Sequence, residues 1–131
     1  MSQLDIKAVD SFSQKLAELI LTHEKNHITI VGVITGGSYI ADGLETYFSH
    51  HHVPFNRFDV KVDTTNEKIV QGENKLVPNP DTTYIFIDDA IWSANTKNII
   101  EKETKKYQIP SIKFAVILDP YKLADYALIR A

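Results

Sequence analysis

The chain has 131 residues, 44% apolar and 24% charged, with a formal net charge of -3. That is the composition of one globular domain, residues 1–131, large enough to bury a core without staples. No cysteine is present, which excludes a disulfide framework, a thiolate zinc site and a cysteine nucleophile; the pI near 5.9 argues against a protein built to coat nucleic acid.

Asp10 or Ser11 is placed to cap a first helix, in which Phe12, Leu16, Leu19 and Ile20 keep the 3.6-residue period, ending near residues 25–26. Residues 28–34 (Ile-Thr-Ile-Val-Gly-Val-Ile) are nearly all apolar and mostly β-branched, as in a strand buried on both faces. Thr35-Gly36-Gly37-Ser38 breaks that strand. A second helix follows, with Ile40, Leu44, Tyr47 and Phe48 on one stripe, and it is closed by residues 49–52 and Pro54. Phe58, Val60 and Val62 alternate with Asp59 and Lys61 in a more exposed strand. Residues 63–81 are polar, with Gly72, Pro78 and Pro80, and read as a mobile functional loop with room for a hairpin. A strand over 84–87, a helix over about 95–107 with Ile99, Ile100 and Tyr107 inward, a strand over 112–118 and a short strand over 126–129 complete the pattern. Strand and helix alternate, which predicts an α/β fold in three layers: a mostly parallel central sheet of about five strands with helices on both faces.

The most informative stretch is 84–96, Tyr-Ile-Phe-Ile-Asp-Asp-Ala-Ile-Trp-Ser-Ala-Asn-Thr. An apolar strand runs into two carboxylates, turns through small and hydroxyl residues and enters a helix. Carboxylates grip hydroxyls, and the free N–H groups of a helix start hold an anion such as phosphate. A sugar phosphate carries both groups. Gly36-Gly37, after an earlier strand, lets backbone N–H groups approach a second oxyanion closely. If the two strands are neighbours, both turns face one crevice beyond the carboxyl ends of the sheet.

The pattern of strand, Asp88-Asp89, Ala-Ile, Trp92 and Ser93-Ala94-Asn95-Thr96 resembles the ribose-phosphate motif of the type I phosphoribosyltransferases. Ile34-Thr35-Gly36-Gly37 sits where those enzymes carry a pyrophosphate loop. The resemblance spans nearly the whole chain and is nearest to the 6-oxopurine (hypoxanthine, guanine, xanthine) branch. It implies that Asp88 and Asp89 are the catalytic acids, engaging the ribose hydroxyls directly or through Mg²⁺. Ser93, Ala94, Asn95 and Thr96 would wrap the 5′-phosphate, and Thr35, Gly36 and Gly37 the pyrophosphate. Trp92 and Tyr121 are the candidate base contacts, and residues 63–75 the segment that closes over the site. The implied ligands are phosphoribosyl pyrophosphate and a nucleobase or nucleotide, with Mg²⁺ as cofactor and a homodimer as the candidate assembly, to which Trp92, Tyr39 and Phe55 would contribute. The expected setting is the cytoplasm, with neither nucleic acid nor membrane as partner.

Three positions depart from the family pattern: Thr35 replaces a Lys or Arg, Ala94 a Gly, and Trp92 an Asp that lies near the base. They favour a second reading, a regulatory module that keeps the ribose-phosphate grip without the chemistry. The chain past Leu118-Asp119-Pro120-Tyr121 is short for a hood over a base. His50-His51-His52 reads as a solvated helix end. Lys97, Lys102, Lys105 and Lys106, with Glu101 and Glu103, read as the solvated face of a helix.

Overall fold

The computed structural model describes residues 6–72, 74–91 and 93–130, with side chains from residue 10 onward. Its elements in chain order are α1 Ile6–His23, β1 His27–Val33, α2 Gly36–His50, β2 Phe55–Asp63, β3 Lys68–Gln71, β4 Thr82–Ala90, α3 Ala94–Lys106, β5 Ile112–Leu118 and β6 Tyr126–Ile129. The strands form one sheet in the order β3-β2-β1-β4-β5-β6. All neighbouring pairs are parallel except β2 with β3, which form an antiparallel hairpin. The sheet therefore has one strand more than expected, and that strand lies inside the polar 63–81 segment.

Strand parity divides the core in two. On one face Ile28, Ile30, Ile85, Ile87 and Ala115 pack against Leu16 and Ile20 of α1 and Ile40, Leu44 and Phe48 of α2. On the other, Val31, Val33, Tyr84, Phe86, Phe114 and Val116 meet Ile100 of α3 and Ile69 and Leu76 from the hairpin region. Each fully buried side chain of this size contributes about 1.5–3 kcal/mol, and β1 and β4 are buried on both faces because helices or the hairpin cover both.

The chain leaves β1 through α2 toward β2 and leaves β4 through α3 toward β5. Strand order thus reverses between β1 and β4, where Gly32 is paired with Ile87. In open α/β sheets a ligand crevice opens at that point. It lies beside the turn after β1 and the end of β4.

Several expected boundaries move. Asp10 and Ser11 lie inside α1, Ile6–His23, since Ile6-Lys7-Ala8-Val9 contains no residue that breaks a helix. Gly36 and Gly37 are the first residues of α2 rather than a break before it, with Thr35 as its N-cap. Asp88 and Asp89 belong to β4, which runs on to Ala90 because β5 continues to pair with it as far as Leu118. Tyr107 is the exposed C-cap of α3 rather than a core residue.

The link from β5 to the parallel β6 contains no helix. Asp119, fully buried, organises it by accepting the N–H groups of Leu123 and Ala124 at 2.8 and 2.9 Å and the Arg130 guanidinium at 3.0 Å. A buried carboxylate with this many donors is tolerated because its charge and lone pairs are satisfied.

Candidate functional site

A cavity of about 300 Å³ opens at the carboxyl end of β4. Asp88, Asp89, Ser93, Thr96 and Lys97 line it on the polar side, and Val33, Phe86, Ile91, Ile100, Phe114 and Val116 on the apolar side. Continuing the β4 alternation, Asp88 falls on the α3 face with Phe86, and Asp89 on the α2 face.

The second placement is confirmed by Gly36: a Cβ built there would lie 2.6 Å from the Asp89 carboxylate. A Cβ on Gly37 would run into the backbone carbonyl of Ile87. Gly37 is therefore required for the first turn of α2 to sit against the end of β4, while the missing Cβ of Gly36 leaves room for the Asp89 carboxylate. The two strand-end motifs meet, since β1 and β4 are the neighbours this required. The Ile34–Thr35 peptide bond leading into this turn is cis. Thr35 is exposed, makes no side-chain cap bond, and offers its carbonyl to Ser38 Oγ at 2.7 Å.

Each aspartate has one oxygen engaged locally. Asp88 Oδ1 accepts the Asp89 N–H, and Asp89 Oδ1 the Ala90 N–H, both at 2.9 Å. Burial, with the hydrogen bond and repulsion from Asp89 behind it, pushes the Asp88 carboxyl up to about 8. Two crowded carboxylates, each with an oxygen that accepts no backbone N–H among the described residues, are a hard-oxygen donor set that suits Mg²⁺. No group of three or more His, Cys, Asp or Glu placed to hold a metal ion occurs among the described residues. Bound there, the ion would take its remaining ligands from water and from the oxygens of a bound molecule.

Ser93 caps α3, its Oγ accepting the Asn95 N–H at 3.4 Å. The N–H groups of the first helical turn have no intrahelical partner, and Ser93, Ala94 and Asn95 are solvent-facing, so that turn can receive an anion. Ala94 is helical and is absent from the left-handed region, which among non-glycine residues holds His52, Glu67, Gln108 and Lys122. Its methyl therefore carries no backbone penalty.

Two residues read as solvated are not. Lys97 is partly buried and donates to the Leu123 carbonyl at 2.7 Å, 5.6 Å from the centre of the Phe114 ring. Glu103 is only 4% exposed and accepts the Ile69 N–H at 3.0 Å, fastening β3 to α3. A helical charge pattern does not reveal which long side chain folds back against the sheet. The one available signal for Lys97 was a cation in the first turn of a helix, against its dipole. Tyr121 is 66% exposed and does not line the cavity, Tyr126 packs in the core with its hydroxyl on Glu24, and Trp92 lies outside the described residues. His50, His51 and His52 are all exposed at the end of α2.

No known family model matches the chain. Over 104 residues it is 26% identical to the bifunctional protein PyrR of Syntrophobacter fumaroxidans, a match covering 71% of this chain and 56% of that protein. The chain thus spans little more than half the length of this relative. Among solved structures it is similar to the hypoxanthine-guanine phosphoribosyltransferase of L. donovani, with 20% identity, a TM-score of 0.70, and coverage of 94% of this chain and 80% of that one. The hypoxanthine-guanine phosphoribosyltransferase of Bacillus anthracis superposes with 14% identity and a TM-score of 0.67, over 91% of this chain and 74% of that one. A hypoxanthine phosphoribosyltransferase of Staphylococcus aureus gives 12%, 0.68, 91% and 70% in the same order. The chain has the type I phosphoribosyltransferase fold, as the motif at 84–96 implied.

Proposed function

We propose that residues 1–131 act as one phosphoribosyltransferase-like domain that binds phosphoribosyl pyrophosphate with Mg²⁺ and transfers the phosphoribosyl group to a nucleobase, a purine being favoured. The observation that carries this reading is the meeting, at the β1–β4 reversal, of three groups: the Asp88-Asp89 pair, the Ser93-capped start of α3 and the glycine turn opening α2. The names of the similar proteins support the same class. The cytoplasm is the proposed setting; among the described residues no helix is long and apolar enough to cross a membrane. A homodimer is the proposed assembly, and the exposed Tyr39 suits an interface.

In this reading the first turn of α3, with Ser93, Asn95 and Thr96, holds the 5′-phosphate, fixing the ribose over the end of β4. Asp89, pressed against Gly36, and Asp88 hold the ribose hydroxyls. Thr35, Gly36 and Gly37 present backbone to the pyrophosphate. Mg²⁺, when bound, supplies charge neutralisation and orientation of the departing pyrophosphate. The bond from ribose C1′ to pyrophosphate oxygen breaks, its electron pair leaving with pyrophosphate, as a bond from C1′ to a base nitrogen forms. The N–H proton displaced from the base passes to the departing pyrophosphate. Exclusion of water by residues 63–75 protects the cationic sugar from hydrolysis.

One observation favours the alternative, a catalytically inactive binding or regulatory module. Among the described cavity-lining residues, Asp88 and Asp89 are the only acids and no histidine is present, so both proton acceptors are already assigned to the ribose. The deciding experiment measures pyrophosphate release from phosphoribosyl pyrophosphate with hypoxanthine, guanine, xanthine and the other common bases. Release that Asp89→Asn abolishes supports the transferase. Mg²⁺-dependent binding with no turnover on any base supports the module.

A further inference from the structure

We propose that Lys97 is an anion-binding residue of this site, its ammonium leaving the Leu123 carbonyl to join the ligand's 5′-phosphate. The inference rests on the binding function proposed above and adds a residue to it.

Lys97 is the fourth residue of α3 and lines the same cavity as Asp88, Asp89, Ser93 and Thr96. A positive charge in a first helical turn opposes the helix dipole, so its presence needs a compensating partner. The structure supplies such partners elsewhere. Arg57 meets Asp42 and Glu45 at 2.8 Å and Asp59 at 2.9 Å, Lys113 meets Glu24 at 2.7 Å, and Arg130 meets Asp119 at 3.0 Å. Lys97 is partly buried like Arg57 and Lys113, yet among the described residues it has no carboxylate within 4.0 Å; a neutral carbonyl and a ring face receive it. A partly buried charge received by a carbonyl and a ring face alone lacks its counter-ion.

The ligand side has the complementary deficit. A phosphate monoester entering this cavity meets two aspartates, and Lys97 is the only cation among the described residues that line it. Lys97 follows directly on the Ser93–Thr96 segment, and its flexible four-carbon stem allows the ammonium to turn from the Leu123 carbonyl toward that helix start. The position thus breaks a local rule at the one place where a bound anion would restore the balance.

A purely structural reading makes Lys97 a tie between α3 and the 119–125 turn, and the test separates the two. Wild type, Lys97→Met, Lys97→Gln and Lys97→Arg are titrated calorimetrically with ribose 5-phosphate at low and at physiological ionic strength, with inorganic pyrophosphate plus Mg²⁺ as the second arm. Gln keeps a donor for the Leu123 carbonyl without the charge. Loss of a charge-assisted bond weakens ribose 5-phosphate binding about 10- to 100-fold in both Met and Gln variants. It also flattens the salt dependence of the affinity, while Arg stays near wild type. Gln behaving as wild type overturns the inference, as does a deficit confined to pyrophosphate. If wild type binds neither ribose 5-phosphate nor phosphoribosyl pyrophosphate, the binding function falls and this inference with it; wild-type binding with unaffected variants removes the inference alone.

Discussion

Asp88→Asn should make the metal-free protein more stable at neutral pH while removing its function. The carboxyl is pushed up to about 8 from an ordinary value of 3.8. In the unfolded chain it loses its proton near pH 4, whereas the folded chain retains it until about pH 8. The unfolded state therefore binds fewer protons across that window, so stability is full below the unfolded value and declines as pH rises through the folded one. If the whole shift were realised, the loss by pH 7 would be about 4 kcal/mol. The cavity mouth admits water and Asp89 can turn away, so about 1–2 kcal/mol is the expected net effect. Asparagine has the same shape and no proton to hold. Thermal melts of wild type and Asp88→Asn in EDTA, from pH 4.5 to 8.5, should converge at the acid end and separate toward the alkaline end. The variant should melt roughly 3–10 °C higher there. Taking the difference between the two curves cancels all other titrating groups. A variant that melts lower at pH 8, or a difference that does not change with pH, would refute the assignment of a strained carboxyl pair at the end of β4.

The two glycines of α2 should separate function from folding. Gly36→Ala displaces only the Asp89 carboxylate, so ligand affinity should fall with a melting point nearly unchanged; Gly37→Ala meets the Ile87 backbone and should cost about 2–3 kcal/mol in denaturant unfolding. Glu103→Ala should free the Ile69 N–H, costing about 1–2 kcal/mol, with hydrogen exchange accelerating at β3 before the rest of the sheet. Burial opposes the charge on Glu24, but hydrogen bonds from Lys113 and Tyr126 outweigh it and hold the carboxyl below its ordinary 4.5. That stability is present above 4.5 and is lost as pH falls through the lower folded value. Glu24→Gln should therefore be less stable than wild type at pH 6, and the gap should close in acid melts below pH 4.

What the sequence disclosed follows from how each element is held. Residues 28–34 and 84–87 were legible because a strand covered on both faces is a continuous apolar run, and Asp88-Asp89 stood out because such a run seldom ends in two acids. The neighbouring of β1 and β4, on which the site depends, was only a condition in the sequence; the pairing of Gly32 with Ile87 fulfils it. The hairpin strand β3 was not placed, since four residues in a polar segment owe their conformation to β2 and to Glu103, far away in sequence. The organising role of Asp119 was not legible, because nothing local announces that Leu123, Ala124 and Arg130 converge on it. Lys97 and Glu103 were absorbed into a helical charge pattern, although one faces the cavity and the other fixes the hairpin.

The central claim is that the β1–β4 crevice holds a phosphoribosyl ligand. Calorimetric titration of the protein with phosphoribosyl pyrophosphate, with and without Mg²⁺, tests it most directly. Saturable binding of one ligand per chain is predicted, strengthened by Mg²⁺, displaced by ribose 5-phosphate and lost in Asp89→Asn. Absence of binding at millimolar ligand with Mg²⁺ present, in protein that melts cooperatively, would contradict it.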